Sequence, residues 1–141
     1  MVLWITFLLI LNNHCMASNI TLSDLHWKNR VLLVFPSSHD ERNMEFEITA
    51  DLAYELEDRD LLYFYLDDKI KTNSGFSFSA DYQKKLKQKF QKGSKKHSYV
   101  LIGKDGSSKL TKENNKVDWQ EIFAKIDAMP MRIREMKNKP D

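Results

Sequence analysis

Apolar positions along the chain fall into short blocks whose spacing alternates between strand-like and helix-like. Val31–Phe35 (VLLVF), led in by Trp27–Arg30, is a continuous run of aliphatic, β-branched and aromatic residues and predicts a buried strand. Met44, Ile48, Leu52 and Leu56 then recur every four residues with Ala53 beside them, which predicts a helix. After Asp60, Leu61–Leu66 (LLYFYL) is a second apolar strand, and the polar stretch Lys69–Phe78, with Asn73 and Gly75, reads as a loop. Ser79 is placed to cap a second helix carrying Tyr82, Leu86 and Phe90 on one face. Tyr99–Ile102 is a third strand and Ser107–Leu110 a fourth, joined through the turn Gly103-Lys104-Asp105-Gly106 into a hairpin. Asp118-Trp119-Gln120-Glu121 has the form of a capping box. It opens a last helix bearing Trp119, Ile122, Phe123 and Ile126, which Pro130 should stop or kink.

This order, β-α-β, a middle helix, then β-β-α, predicts one α/β domain. Its expected core is a four-stranded mixed sheet with helices on both faces, the plan of the thioredoxin fold. The chain has 141 residues, 42% of them apolar and 30% charged, enough for one buried core. Three prolines and four glycines leave no long low-complexity linker.

Residues 1–17 stand apart. Val2–Leu11 (VLWITFLLIL) is uncharged and almost wholly apolar. It is too short for a membrane span of roughly 20 residues, but it suits the apolar centre of a signal peptide. Cys15-Met16-Ala17 puts small residues at both specificity positions, so cleavage is expected after Ala17, with residues 18–141 exported to a periplasmic or secreted location. No Lys or Arg precedes the apolar run. Lipidation at Cys15 is disfavoured by Asn13 and His14, and retention as an apolar anchor is the third outcome. Cleavage would remove the one cysteine, leaving a mature chain with no transmembrane span, disulfide or thiol. Asn19-Ile20-Thr21 also fits the N-glycosylation pattern of a eukaryotic secretory route.

The segments YVLIGKDGSSKL (Tyr99–Leu110) and VDWQEIFAKIDAMPMRIREM (Val117–Met136) resemble a small family of exported domains of unknown function, sometimes called P-DUDES. It also occurs as a module in vertebrate sushi-repeat and equarin-type extracellular proteins. LHWKNRVLLVF (Leu25–Phe35) and EDRDL (Glu57–Leu61) look like its earlier blocks. The resemblance covers nearly all of the mature chain. It implies a thioredoxin-like fold related to peroxiredoxins and supplies no established activity.

Thioredoxin-like domains that act on thiols carry their cysteines after the first strand, where a helix N-terminus lowers the thiol pKa. That window here is Ser38–Asn43 (SHDERN), without cysteine. The cis-proline that thioredoxins place before the third strand is also missing, since Ser98 directly precedes Tyr99. Thiol–disulfide exchange and peroxide reduction by cysteine are therefore excluded for the mature chain. Ser37 or Ser38 with His39 and Asp40 would make a poor hydrolase triad, because adjacent side chains diverge and no Gly-x-Ser-x-Gly elbow surrounds them. Ser38-His39-Asp40-Glu41 reads instead as a capping box for the first helix. His26, His39 and His97 lack metal-ligand spacing, so no metal site is expected, and no pattern calls for a cofactor.

Charge is unevenly placed although the formal total is only +2. Asp40–Asp60 holds nine acidic residues against two arginines, and Tyr82–Lys104 holds eight lysines and no acid. The basic stretch suits a polyanion, but nucleic acid is disfavoured, because Tyr82 and Phe90 belong to the core stripe and leave no aromatic for base stacking. Two further segments stand out. Lys104, Asp105 and Lys109 surround the hairpin turn. Asp127-Ala128-Met129-Pro130-Met131-Arg132 carries more than a helix stop needs. Either it is a partner surface, or Met129 and Met131 fold back on the core while Arg132 pairs with Asp127 or Glu135.

The expectation is a non-catalytic, non-redox binding domain whose candidate binding residues are Lys104, Asp105, Lys109, Asp127 and Arg132. Its expected partner is another extracytoplasmic protein. An enzyme of unrecognised type using Asp105, Lys104 or Arg132, and a polyanion binder using Lys84–Lys96, are the alternatives.

Overall fold

A computed structural model describes residues 17–140. The expected signal segment, Cys15 included, lies outside the described residues except for Ala17. The elements are β1 (Ser18–Asn19), a 3₁₀ turn (Leu22–Leu25), β2 (Arg30–Phe35), α1 (Ala50–Asp58), β3 (Leu61–Leu66), β4 (Ile70–Thr72) and β5 (Phe76–Ser77). After them come α2 (Ala80–Phe90), β6 (Ser98–Ile102), β7 (Ser108–Glu113), α3 (Trp119–Asp127) and α4 (Pro130–Lys137). Among the described residues no helix is long and apolar enough to cross a membrane.

The sheet has five strands rather than the expected four, in the order β4-β3-β2-β6-β7. β2 runs parallel to β3 and antiparallel to β6, and the other neighbours are antiparallel. A separate two-stranded sheet pairs β1 with β5. β4 and β5 come from the stretch expected to be a loop, Lys69–Phe78, and β1 from Ser18–Asn19; all three are too short to leave a periodic signature. β2 is the central strand and buried along its whole length, as a strand covered on both faces must be. On one face Leu33, Phe35, Phe64 and Val100 pack with Leu86 of α2. On the other, Leu32, Val34, Tyr99 and Leu101 pack with Leu56 of α1 and with Ile122 and Ile126 of α3.

The N-caps of the later helices form. Ser79 Oγ accepts from the Tyr82 amide at 3.2 Å, and Asp118 Oδ1 from the Glu121 amide at 3.0 Å. The reciprocal half of the Asp118–Glu121 capping box does not form: the Asp118 amide donates to Tyr99 Oη at 3.2 Å and the Glu121 carboxylate pairs with Lys112. The first helix starts later than predicted. The Ser38–Glu41 capping box does not form, because α1 opens only at Ala50, where Thr49 Oγ1 accepts from the Leu52 amide at 3.2 Å. Residues 36–49 are an irregular segment across the sheet end. In its second half Met44, Phe46 and Ile48 are half-buried while Glu45 and Glu47 are exposed, the period of an extended chain. Positions 44 and 48 satisfy both a two-residue and a four-residue repeat. Phe46 then decides in favour of the extended form by joining Tyr63, Tyr65 and Trp119, at ring distances of 5.2, 5.0 and 6.0 Å.

Pro130 does not merely stop α3. It stands at the first position of α4, where a missing N–H is harmless and the fixed φ is already helical. Only Ala128 and Met129 separate the two helices.

Candidate functional site

Two clefts contain the residues singled out above. The larger, of about 660 Å³, lies past the ends of β2 and β3 and is lined by Ser37, Ser38, Asp40, Arg42, Asp67 and His97 among others. Four of its polar residues, Ser37, Asp40, Arg42 and His97, are already engaged by hydrogen bonds. Ser37 Oγ donates to the Lys95 carbonyl at 2.8 Å. The Ser37 amide donates to Nδ1 of buried His97 at 2.9 Å, and His97 Nε2 donates to the Arg42 carbonyl at 2.6 Å, which fixes the proton on Nε2. Asp40 accepts from the Arg42 amide at 3.0 Å, from the Arg42 guanidinium and from the His97 amide. Those bonds, the Arg42 guanidinium first, hold its carboxyl well below the usual range. Ser38 and His39 are exposed. No serine–histidine–aspartate relay forms.

The second cleft, of about 370 Å³, is more apolar and is built from three separated segments. Trp27 supplies one wall, the turn after β6 another (Gly103, Asp105, Lys109), and the α3–α4 junction the third (Met129, Pro130, Met131), with Arg134 at the rim. Trp27 is 66% exposed and sits at φ +65°, a region that costs a bulky residue about 1–2 kcal/mol. Its amide donates to the Lys104 carbonyl at 2.7 Å, which ties this strained residue to the turn. In the turn, Gly106 takes φ +80°, and a Cβ there would collide with the His26 ring. A Cβ on Gly103 would come within 2.6 Å of Lys109 Cε, so the Lys109 stem lies directly across it. Lys109 Nζ reaches Asp105 Oδ2 at 3.0 Å. That contact first, and then hydrogen bonds from Ser107, bring the Asp105 carboxyl down to about 2.

The five candidates divide by depth. Asp105 and Lys109 stand at the cleft surface. Lys104 lines the cleft, but its ammonium is engaged by Asp60 Oδ2 at 2.8 Å and Glu135 Oε1 at 2.7 Å. Asp127 and Arg132 lie behind the junction. Arg59 grips Asp127 with two hydrogen bonds of 3.1 and 2.8 Å, and Arg132 Nε adds a third at 3.1 Å. Arg132 is 3% exposed and also holds the carbonyl and carboxylate of Asp58, at 2.7 and 2.6 Å. Burial acts to raise the Asp127 pKa, but the two guanidinium partners outweigh it and the net direction is down. Of the expected Arg132 partners, Asp127 is realised, whereas Glu135 binds Arg30 and Lys104. Met129 packs on the core and Met131 is half-buried in the cleft.

Sequence patterns alone did not mark Trp27 or Arg30 as part of this region. The HWKNR stretch reads as a lead-in to β2. The only local signal is an aromatic residue placed just outside a fully buried strand.

Among the described residues no three His, Cys, Asp or Glu side chains gather closely enough to hold a metal ion. No match was found among curated proteins or among solved structures. Residues 21–135 match the domain of unknown function DUF4174, a span that runs from the 3₁₀ turn through Glu135 and includes all three walls of the cleft. The chain belongs to that family.

Proposed function

We propose that this chain is an exported, non-redox, thioredoxin-like binding domain that receives an apolar segment of another extracytoplasmic protein in the Trp27–Met131 cleft. The observation that carries this is convergence. The hairpin turn and the Met-Pro-Met junction are far apart in sequence, yet they form one apolar cleft beside a strained, exposed tryptophan. The thioredoxin-like reading is supported by the strand order β3-β2-β6-β7 with only β2 and β3 parallel, α2 on one face and α1 and α3 on the other. It is supported too by the resemblance of LIGKDG and IDAMPMR to the P-DUDES modules. A non-redox role follows from the segment after β2, which carries Ser37, Ser38, His39 and Asp40 and no cysteine.

The test is a photo-crosslinking amino acid placed in the full chain at Trp27, at Met131 or at Tyr54. Tyr54 is an equally exposed aromatic on α1, 69% accessible. The expected result is one shared adduct from Trp27 and Met131 that Tyr54 does not give. The same adducts from all three positions would overturn the proposal.

A further inference from the structure

α2 and the turn after it present an unpaired basic face. Lys84, Lys85, Lys87 and Lys89 on the helix are all exposed, as are Lys92, Lys95 and Lys96 beyond it. None of the seven belongs to an ion pair of the described residues. Other exposed lysines do pair, such as Lys116 with Glu45 and Lys139 with Asp58. The apolar stripe Tyr82, Leu86 and Phe90 is turned to the sheet, so the lysines occupy the outer arc of the helix. Among the described residues, acid near this face comes from Asp81 in the first helical turn, Glu113 beside Ser94, Asp40 at the His97 amide, where Arg42 already pairs it, and Asp67 and Asp68, which share the larger cleft with Lys87.

We infer that this face docks on an anionic lipid surface. Three features favour a membrane over a soluble polyanion. The charges are all ammonium groups, which act as point charges toward a headgroup plane; no arginine is present to clamp a single phosphate or sulfate in two places. Lys87 edges the larger cleft and Lys89 and Lys92 a shallow one, while Lys84, Lys85, Lys95 and Lys96 line neither. Both of those clefts also contain carboxylates, Asp67 and Glu113, that would repel a polyanionic chain laid along them. No exposed large aromatic lies among them to stack on a base.

The fourth feature is where the preceding chain enters. β1 pairs with β5, the Ile20 amide donates to the Ser77 carbonyl at 2.9 Å, and the Leu22 amide to Tyr82 Oη at 2.9 Å. Ser18 therefore lies close to the start of α2. The apolar stretch ending at Leu11 precedes it by few enough residues to stay within roughly 25 Å. If the leader is retained rather than cleaved after Ala17, its apolar stretch would hold this basic face near the headgroups, the pairing of a weak anchor with a polybasic patch. Without it the lysines alone supply the attraction. The patch is separate from the Trp27 cleft, and its test does not depend on that reading.

The experiment is cosedimentation of the full chain with vesicles of phosphatidylcholine alone and of phosphatidylcholine with about one third phosphatidylglycerol, an anionic surface that attracts lysines. The wild type is compared with K84E/K85E/K89E and with a control of equal charge change at other exposed lysines, K69E/K125E/K137E. Expected are a gain on the anionic vesicles for wild type and control, lost in high salt, and at least a tenfold lower partition for the α2 variant. Binding to neutral vesicles should be the same for all three. Equal partition of the α2 variant and wild type overturns the inference. So does an equal loss in the control, which would make net charge the whole effect. Discrimination by heparin or single-stranded DNA, with none by vesicles, overturns it in favour of a soluble polyanion. If the glutamate variant does not fold, K84Q/K85Q/K89Q keeps helix propensity and is expected to lose at least threefold, with no loss overturning the inference.

Discussion

Glu135 of α4 accepts hydrogen bonds from both terminal nitrogens of Arg30, the first residue of β2, at 3.1 and 3.2 Å across 105 positions of sequence. The same carboxylate takes the Lys104 ammonium at 2.7 Å. Arg30 is 1% exposed and Lys104 8%, so Glu135 bridges two cations that water scarcely reaches, with Asp60 as the second carboxylate on Lys104. α4 is thus fastened to the start of the central strand and to the turn that walls the cleft.

Replacing Glu135 by Gln keeps the shape and removes the charge. Removing one partner of a fully buried pair costs about 3–5 kcal/mol; because the Glu135 side chain is 26% exposed, a loss of about 2 kcal/mol is expected. Urea denaturation measures it, and a change under about 0.5 kcal/mol would show that the network contributes no more than an ordinary surface pair.

Acid should destabilise the fold through these same carboxyls. Burial works to raise Glu135 and Asp127, but Arg30 with Lys104 and Arg59 with Arg132 outweigh it and leave both below their usual values. Asp58 is lowered chiefly by Lys139 and then by Arg132. A carboxyl lowered in the folded state binds protons more readily unfolded, so stability rises with pH across the window. The contribution should be complete above about pH 5 and fall progressively below about pH 4. Thermal midpoints measured from neutral pH down to about pH 2 test this, and Glu135→Gln should flatten the acid limb. An acid limb unchanged in the variant would dissociate Glu135 from it.

Two candidate caps make a paired prediction. Thr49→Ala should cost about 1 kcal/mol, because Thr49 Oγ1 satisfies the first turn of α1 at Leu52. Ser38→Ala should cost almost nothing, since Ser38 stands in the irregular segment well before that helix. Equal losses in chemical denaturation would restore Ser38 as a structural cap.

Gly106→Ala should destabilise by about 1 kcal/mol from positive φ alone, with the His26 contact added. Pairing it with His26→Ala removes the collision and leaves the backbone strain. Full recovery of stability in the double variant would place the whole effect in the collision.

How far the sequence reveals this molecule depends on how local each signal is. α2 and α3 are legible because Ser79 and Asp118 cap them and a single helical period follows. The start of α1 is misread because Met44 and Ile48 fit two periods at once, and only the aromatic contacts of Phe46, made with distant strands, choose between them. α4 is hidden by Pro130, a residue that either ends a helix or begins one. In the cleft, the turn and the Met-Pro-Met junction are each conspicuous, but nothing local says that they meet. Asp127 and Arg132 look like surface groups until Arg59 and Asp58 are brought to them, 68 and 74 positions away.

The outer margin of β3 has a consequence for how copies of this chain meet. β4 covers only Phe64–Leu66, and beyond it the Asn73 amide accepts from the Tyr63 N–H at 2.9 Å and donates to the Leu61 carbonyl at 3.0 Å. One side chain thereby stands in for the missing length of a neighbouring strand and leaves no free ladder there. The opposite margin, β7, carries Lys109 and Lys112, residues of the type that discourages edge-to-edge pairing with another strand. Shortening Asn73 to alanine would uncover two backbone groups on β3, and self-association would gain a template that the folded chain now withholds.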